Sequence, residues 1–384
     1  VTNPAIDPIR EELVMSLTEY IGRVGSGILT PDESNCKMVR LPQPVLTNTE
    51  LDILCNILYK GFKTKKLSML WSVQPGMSAT NSGTALQEAL DSLCKQAEES
   101  VDEGVNYIIL SDRDIDDKHA AIPSLLAVSA VHHYLISVGK RVQTALIVES
   151  GEIREVMHAA LLLGYGASAI CPYMTFAVID DLVKRHKVQE EYATAEKNYI
   201  KAVDKGLKKI MSKMGISTIR SYRGAKIFES IGLSEGLLKK YFGTEISTIG
   251  GIGLRDIARE YAEFHKAMIA DDGSDANGMG NDGMSILKNN GLFSYRKDGI
   301  DHAWNPDTIA NLQIATRLGS YKKFKEWAKI VDEKEKPIFL RDFMGFKKAA
   351  TPTPLDEVES VESIVKNFVT GDMSFGALYI EAHE

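Results

Sequence analysis

The sequence predicts an α/β protein whose main domain is a (β/α) barrel-like unit with added helices. Several short segments are apolar along their whole length, as strands covered on both faces of a parallel sheet are. They alternate with amphipathic helical patterns, which implies right-handed strand–helix–strand crossovers. Glycine, proline and polar residues fall just past the strand ends, where such folds carry their functional loops. No GxGxxG follows the first strand, so an open dinucleotide-binding sheet is the lesser of two readings.

Taken in order, Asp7-Pro8 followed by Arg10-Glu11-Glu12 marks a helix start, with Ile9, Leu13, Leu17 and Tyr20 or Ile21 as its apolar side up to Gly22. A loop runs to Asn35, and Pro42 and Pro44 keep the next stretch extended. Thr47 or Asn48 caps a short helix through Leu58. Leu67–Val73 reads as the first strand. The helix from Thr84 to Val101 places Leu86, Leu90, Leu93, Ala97 and Val101 at helical spacing. Tyr107–Asp112 is the second strand, followed by a helix over Ser124–Val138 that Gly139 stops. Val142–Val148, a helix over Glu152–Leu163 and the strand Gly166–Cys171 complete the alternation. The middle is helical, with Glu190–Met214 ended by Gly215 and further helices from Leu233 and over Arg255–Met268. The Gly/Asp-rich stretch 270–290 has little to bury and reads as a mobile loop. Asn305-Pro306-Asp307 caps a helix over Thr308–Thr316. Prolines 352 and 354 and the acids from Asp356 to Glu362 read as a linker, giving one domain over 1–355 and the start of another over 356–384.

The 384 residues are 44 % apolar and 25 % charged, which is enough for an ordinary globular core. A net charge of −7 argues against nucleic-acid binding, and no apolar run reaches the length of a membrane span. Cys36, Cys55, Cys94 and Cys171 are scattered with no CxxC pair, so they read as small buried hydrophobes rather than as metal ligands. His132 and His133 fall on different helix faces and form no ligand pair.

Chemistry has few candidates. Glu149, at a strand end, has the position of a base, and Asp112-Arg113 that of a charge pair. Tyr222-Arg223-Gly224 either holds a carboxylate or ties down a neighbouring loop, with the second reading favoured. Gly250-Gly251-Ile252-Gly253 before a helix reads as a tight turn needing positive φ in preference to a phosphate cradle. At the other extreme of the chain, Met373-Ser374-Phe375-Gly376 follows a strand-like run with a small-residue turn that would let backbone approach a planar cofactor.

Longer phrases carry a resemblance to the large subunit of glutamate synthase. They are Val1–Pro4, Ile6–Glu12, Leu41–Leu46, Ile109–Arg113, Ile122–Leu126, Leu161–Ala167, Lys209–Thr218, Ser221–Ala225, Gly250–Leu254 and Thr370–Gly376. They span nearly the whole chain, and the chain resembles the central part of that family, followed by the start of its flavin domain. The resemblance implies a central domain of the aldolase/TIM-barrel type, without flavin of its own. In such enzymes a glutaminase domain with a Cys nucleophile releases ammonia. A tunnel delivers it to an FMN domain with a 3Fe-4S cluster, where 2-oxoglutarate is aminated and reduced. The central domain lies between the two and helps to wall the tunnel. By this reading the segment has no complete active site and binds no cofactor. Its partners are the glutaminase and FMN domains of the same polypeptide and an electron-donating subunit or ferredoxin, in the cytoplasm or a plastid. Met373, Ser374 and Gly376 are expected on the FMN side, and Gly76, Met77 and Ser78 on the 2-oxoglutarate side. The competing reading is a self-sufficient barrel flavoprotein or oxidoreductase using Asp112, Glu149 and Arg223.

Overall fold

A computed structural model describes residues 8–24, 29, 32–73, 79–243, 247–270, 291–297, 299–333 and 337–368. They fall into two units, within Val1–Asp275 and Ala276–Glu384.

In the first unit, α1 (Pro8–Val14) stops short of the helix expected to reach Gly22. Ser16 gives its N–H to Ser217 O (2.8 Å) and takes the N–H of Ile219 (3.1 Å), so the chain exchanges helical bonds for a bridge to a distant segment. Residues beyond it form β1 (Glu19–Gly22), antiparallel to β2 (Met38–Leu41). α2 (Asn48–Cys55) starts at Thr47 in a reciprocal cap. The Thr47 Oγ1 accepts from Glu50 N at 3.2 Å, and Glu50 Oε2 accepts from Thr47 N at 2.8 Å.

The strand expected over Leu67–Val73 divides at Met69 into β3 (Thr64–Ser68) and β4 (Leu70–Ser72). Met69 gives its N–H to Ser111 O and takes the N–H of Ile122, both at 2.8 Å, so its backbone faces two partners. α3 (Ala79–Asp102) then leads to β5 (Tyr107–Ser111), and β4 pairs antiparallel with β6 (His119–Ala121). The alternation continues through α4 (Ser124–Ser137), β7 (Ala145–Glu149), α5 (Val156–Gly164) and β8 (Ala169–Cys171).

Among the described residues the parallel sheet has the order β3-β5-β7-β8, each strand joined to the next in sequence. The α/β class and the strand–helix alternation are thus as read from the sequence. Beyond β8 the sheet meets the segment before α2: Leu46 N donates to Ile170 O (2.8 Å) and Ile170 N to Pro44 O (2.9 Å). No ladder among the described residues joins that segment to β3, so a closed barrel is not seen. Leu86, Leu90, Leu93, Ala97 and Val101 of α3 are all buried, as their spacing predicts. Each such leucine stabilises the fold by roughly 1.5–3 kcal/mol.

The remaining helices of this unit are α6 (Tyr173–Lys184), α7 (Tyr192–Met214), α8 (Ile219–Tyr222), α9 (Glu235–Tyr241) and α10 (Leu254–Ala270). Gly215 ends α7 with φ 71°, the left-handed cap its position predicts. The glycines before α10 act otherwise than expected. Gly250, Gly251 and Gly253 lack positive φ, and a Cβ on Gly251 would fall 2.1 Å from Gly232 O. Gly251 therefore allows two backbones to touch, next to the bond from Ile252 N to Gly232 O (2.9 Å). The Gly253 N–H is taken by Asp256 Oδ2 at 3.1 Å, which leaves that N–H no role in a phosphate cradle.

In the second unit, α11 (Pro306–Arg317) carries the predicted Asn305 cap and packs on α12 (Tyr321–Asp332). The short helix α13 (Val361–Val365) lies in a stretch, 337–368, whose side chains are almost all exposed. No helix among the described residues is long and apolar enough to cross a membrane.

Candidate functional site

Register places Ser68, Ser111, Glu149 and Cys171 side by side at the carboxyl ends of the parallel strands. Period-two alternation puts Lys66, two residues back on β3, on the same face. This face gathers the charged groups. Glu149 is 2 % exposed; its Oε1 accepts from Arg113 Nε at 2.5 Å, and its Oε2 from Ser111 Oγ at 2.7 Å and Lys66 Nζ at 2.8 Å. Burial pushes this carboxyl up, but the bonds from Lys66, Arg113 and Ser111 outweigh it and hold the group below its usual range. Arg113 also reaches Asn48 Oδ1 at 3.3 Å and lies 4.1 Å from the centre of the Tyr173 ring. Held in its ionised form by three donors, Glu149 is a weaker base than a free carboxylate.

Asp112 does not pair with its neighbour Arg113. Its carboxylate turns to the next strand end, where it accepts from Ser150 Oγ (2.6 Å) and from Gly151 N (3.0 and 3.1 Å). Burial raises its pKa, against the bonds from Ser150, Tyr173 and Gly151. Glu152, one residue further on, accepts from Ser124 N (2.8 Å), Ser124 Oγ (2.5 Å) and Tyr261 OH (2.8 Å), tying α4 and α10 to the β7–α5 loop.

Arg223 is not part of this group. Its Nε donates to Ala167 O (3.1 Å), just before β8, and its Nη2 stands 3.3 Å from Glu19 Oε2 on β1. It ties loops together at the amino-terminal end of the strands, opposite Glu149. The competing reading joined Asp112, Glu149 and Arg223 in one site; the fold keeps Asp112 beside Glu149, with Asp112 N donating to Glu149 O at 3.2 Å, and places Arg223 at the opposite end of the strands.

Gly76, Met77, Ser78, Met373, Ser374 and Gly376 lie outside the described residues. Cys94 and Cys171 are buried, with burial pushing both thiols up to about 12. Cys55 is half-buried. Cys36 is exposed at the end of a 3-10 turn (Glu33–Cys36) before β2, against the expectation that all four are buried. Among the described residues no three His, Cys, Asp or Glu side chains converge as a metal site would require.

Sequence reasoning found Glu149, Asp112 and Arg113 by position, because strand ends can be read from apolar runs. It missed Lys66, Asn48, Tyr173 and Glu19. The one signal for Lys66 was a lysine pair entering an apolar strand, which asks for a buried acid on a neighbouring strand.

Two family models match the chain: that described as the glutamate synthase central domain over residues 1–234, and that described as a conserved region in glutamate synthase over 302–384. The glutamate synthase [NADPH] large chain of Bacillus subtilis is 42 % identical over the whole chain, which covers 24 % of that protein. The glutamate synthase [NADH] of Schizosaccharomyces pombe is 35 % identical, with 100 % of this chain and 18 % of that protein covered. The chloroplastic ferredoxin-dependent glutamate synthase of Spinacia oleracea is 37 % identical, with 100 % and 23 % covered. The chain thus spans about a quarter or less of the length of these relatives. A solved mandelate oxidase variant aligns with 58 % of this chain and 91 % of its own at 11 % identity and a TM-score of 0.32, too slight a likeness to bear on the fold.

Proposed function

This chain belongs to the glutamate synthase family, and on that premise we propose that it is the connecting domain of a glutamate synthase large chain, joined to the beginning of the FMN domain. The whole enzyme would convert glutamine, 2-oxoglutarate and reductant into two glutamates. The observation that carries the role of this segment is the state of its strand-end carboxylate: Glu149 is held by Lys66, Arg113 and Ser111 and serves as a structural anchor. The segment itself is a scaffold without turnover. Its partners are the glutaminase and FMN domains of the same polypeptide, with an electron-donating subunit or ferredoxin supplying reductant. The enzyme would work in the cytoplasm, or in a plastid in a plant or alga.

The described residues fit neither prosthetic group. The strand-end face presents the Lys66–Glu149–Arg113 group with Tyr173 against it, charges already paired with one another rather than set out to hold a flavin phosphate. Cys94 and Cys171 are buried thiols without converging ligands, unsuited to an iron–sulfur cluster. On the family reading, FMN and the 3Fe-4S cluster belong to the larger enzyme, with Met373, Ser374 and Gly376 on the FMN side. Gly76, Met77 and Ser78 are assigned to 2-oxoglutarate through backbone N–H groups.

An absorbance scan of the purified chain tests the scaffold reading. The expected result is no flavin band and no glutamate formation; a stoichiometric flavin peak or turnover by the isolated chain overturns it. The tunnel role is tested in the intact enzyme. A bulky side chain on a tunnel-facing loop other than 76–78 should uncouple glutamine hydrolysis from glutamate formation, and a series of such loop variants that all stay coupled leaves this domain a spacer only.

A further inference from the structure

The first unit holds a cavity of about 1080 Å³ at the amino-terminal end of the strands, away from Glu149. Its wall contains two guanidiniums, of Arg141 and Arg223, and the carboxylate of Glu19. Arg223 and Glu19 face each other at 3.3 Å, with the Glu19 side chain 3 % exposed. Arg141 donates instead to three neutral acceptors: Thr144 O (2.8 Å), Gly166 O (2.7 Å) and His132 Nδ1 (2.9 Å). Because His132 accepts there, its ring is neutral and adds no negative charge. Among the described residues the other acid in the wall, Asp91, is paired with Lys240 at 3.0 Å. Two guanidiniums thus share one carboxylate, and a third, of Arg220, lies at the same cavity.

A charge withdrawn from water needs a counter-charge, so this wall is short of an anion. The strain shows in the titration of its members. Burial and the charge of Arg223 hold Arg141 down to about 9, while burial and the charge of Arg141 hold His132 down to about 2. Arg141 has spent three of its five N–H donors, and Arg223 Nη2 and Glu19 Oε2, though 3.3 Å apart, are both buried without a hydrogen bond. Another part of the wall is aromatic: Tyr165 stacks on Phe228 (6.0 Å between ring centres) and meets Phe242 edge-on (5.4 Å). The volume is of the order taken by small-molecule sites, roughly 300–1,000 Å³.

We propose that this cavity binds a small organic anion. Its carboxylate or phosphate sits at Arg141 and Arg223, and its apolar body lies against Tyr165, Phe228 and Phe242. The site is separate from the strand-end group, and its failure would leave the scaffold reading untouched.

Calorimetric titration of the intact polypeptide with 1-naphthoate, 1-naphthyl phosphate and neutral 1-naphthamide tests it. One of the two anions should bind saturably, at least about 10-fold tighter than the amide, the usual size of a charge-assisted contact; which anion is tighter identifies the head group. Glu19→Gln removes the competing carboxylate and should tighten anion binding severalfold. Arg223→Gln should weaken it, as should Arg220→Ala, an exposed change that leaves the fold intact. A general loss of folding cannot move Glu19→Gln and Arg220→Ala in opposite directions. Equal affinity for anion and amide, or affinities unmoved by Glu19→Gln and Arg220→Ala, overturns the proposal.

Discussion

Glu149 spends two oxygens on three donors drawn from β3, β5 and the loop after it, and this makes it the side chain on which the strand ends depend most. Removing its charge leaves Lys66 and Arg113 facing each other. Glu149→Gln should cost about 2 kcal/mol, less than the roughly 3–5 kcal/mol of a fully buried pair because both cations are partly exposed. Its pKa is lowered on folding, so the stabilisation is present above the ordinary carboxylate range and is lost as pH falls through the folded value. Urea unfolding should show a gap between wild type and Glu149→Gln at pH 7 that narrows in acid; a gap independent of pH would refute this assignment. Asp112 has the opposite sign. Its pKa is raised on folding, so the native state holds its proton more tightly and stability falls as pH rises through that window. Asp112→Asn keeps one acceptor oxygen, which can serve both Ser150 and Gly151 as Oδ2 does, and should gain stability at pH 7 but not in acid. Gly166 combines φ 123° with a Cβ position 2.5 Å from the His132 ring, so Gly166→Ala should cost at least about 2 kcal/mol in the same assay.

At the scale of elements, the start of α2 rests on Thr47 and Glu50 capping each other. Thr47→Ala should lower stability by about 1 kcal/mol, read from the urea midpoint, and an unchanged midpoint would show that packing alone sets this helix. The elements legible in the sequence are those with such local chemistry. Thr47, Asn305-Pro306, Gly139 and Gly215 all act as caps or stops where they were expected. Four of the described helices were not legible: the short α8 and α13, and the longer α6 and α12. α6 opens directly after Pro172 with Tyr173, Thr175, Phe176 and Val178, residues that favour strands; only Phe176 seated in the core decides the matter. α12 is rich in lysine, and its Tyr321, Phe324 and Trp327 read as surface until their rings are seen to pack. The split at Met69 was invisible because it depends on Ser111 and Ile122, which no window around Met69 contains. The same limit applies to the candidate site: the positions of Asp112 and Glu149 follow from local pattern, whereas their partners Ser150 and Lys66 are assigned only by register between strands.

At the scale of the molecule, the stretch 337–368 exposes Phe343 (74 %), Phe346 (101 %) and Leu355 (88 %) with little of its own to cover them. Such a strip suits a segment that lies along other domains of a longer polypeptide. Limited proteolysis should cut the isolated chain within 337–368 and spare that stretch in the intact enzyme; equal cutting in both would show that nothing covers it. The clasp of Ile170 by Pro44 and Leu46 has a consequence for biosynthesis. A ribosome releases residue 45 long before residue 170, so the first-made segment waits without its seat while the intervening strands emerge. Nascent chains arrested before Cys171 clears the exit tunnel should remain open to protease near Val45, and those arrested well after it should resist.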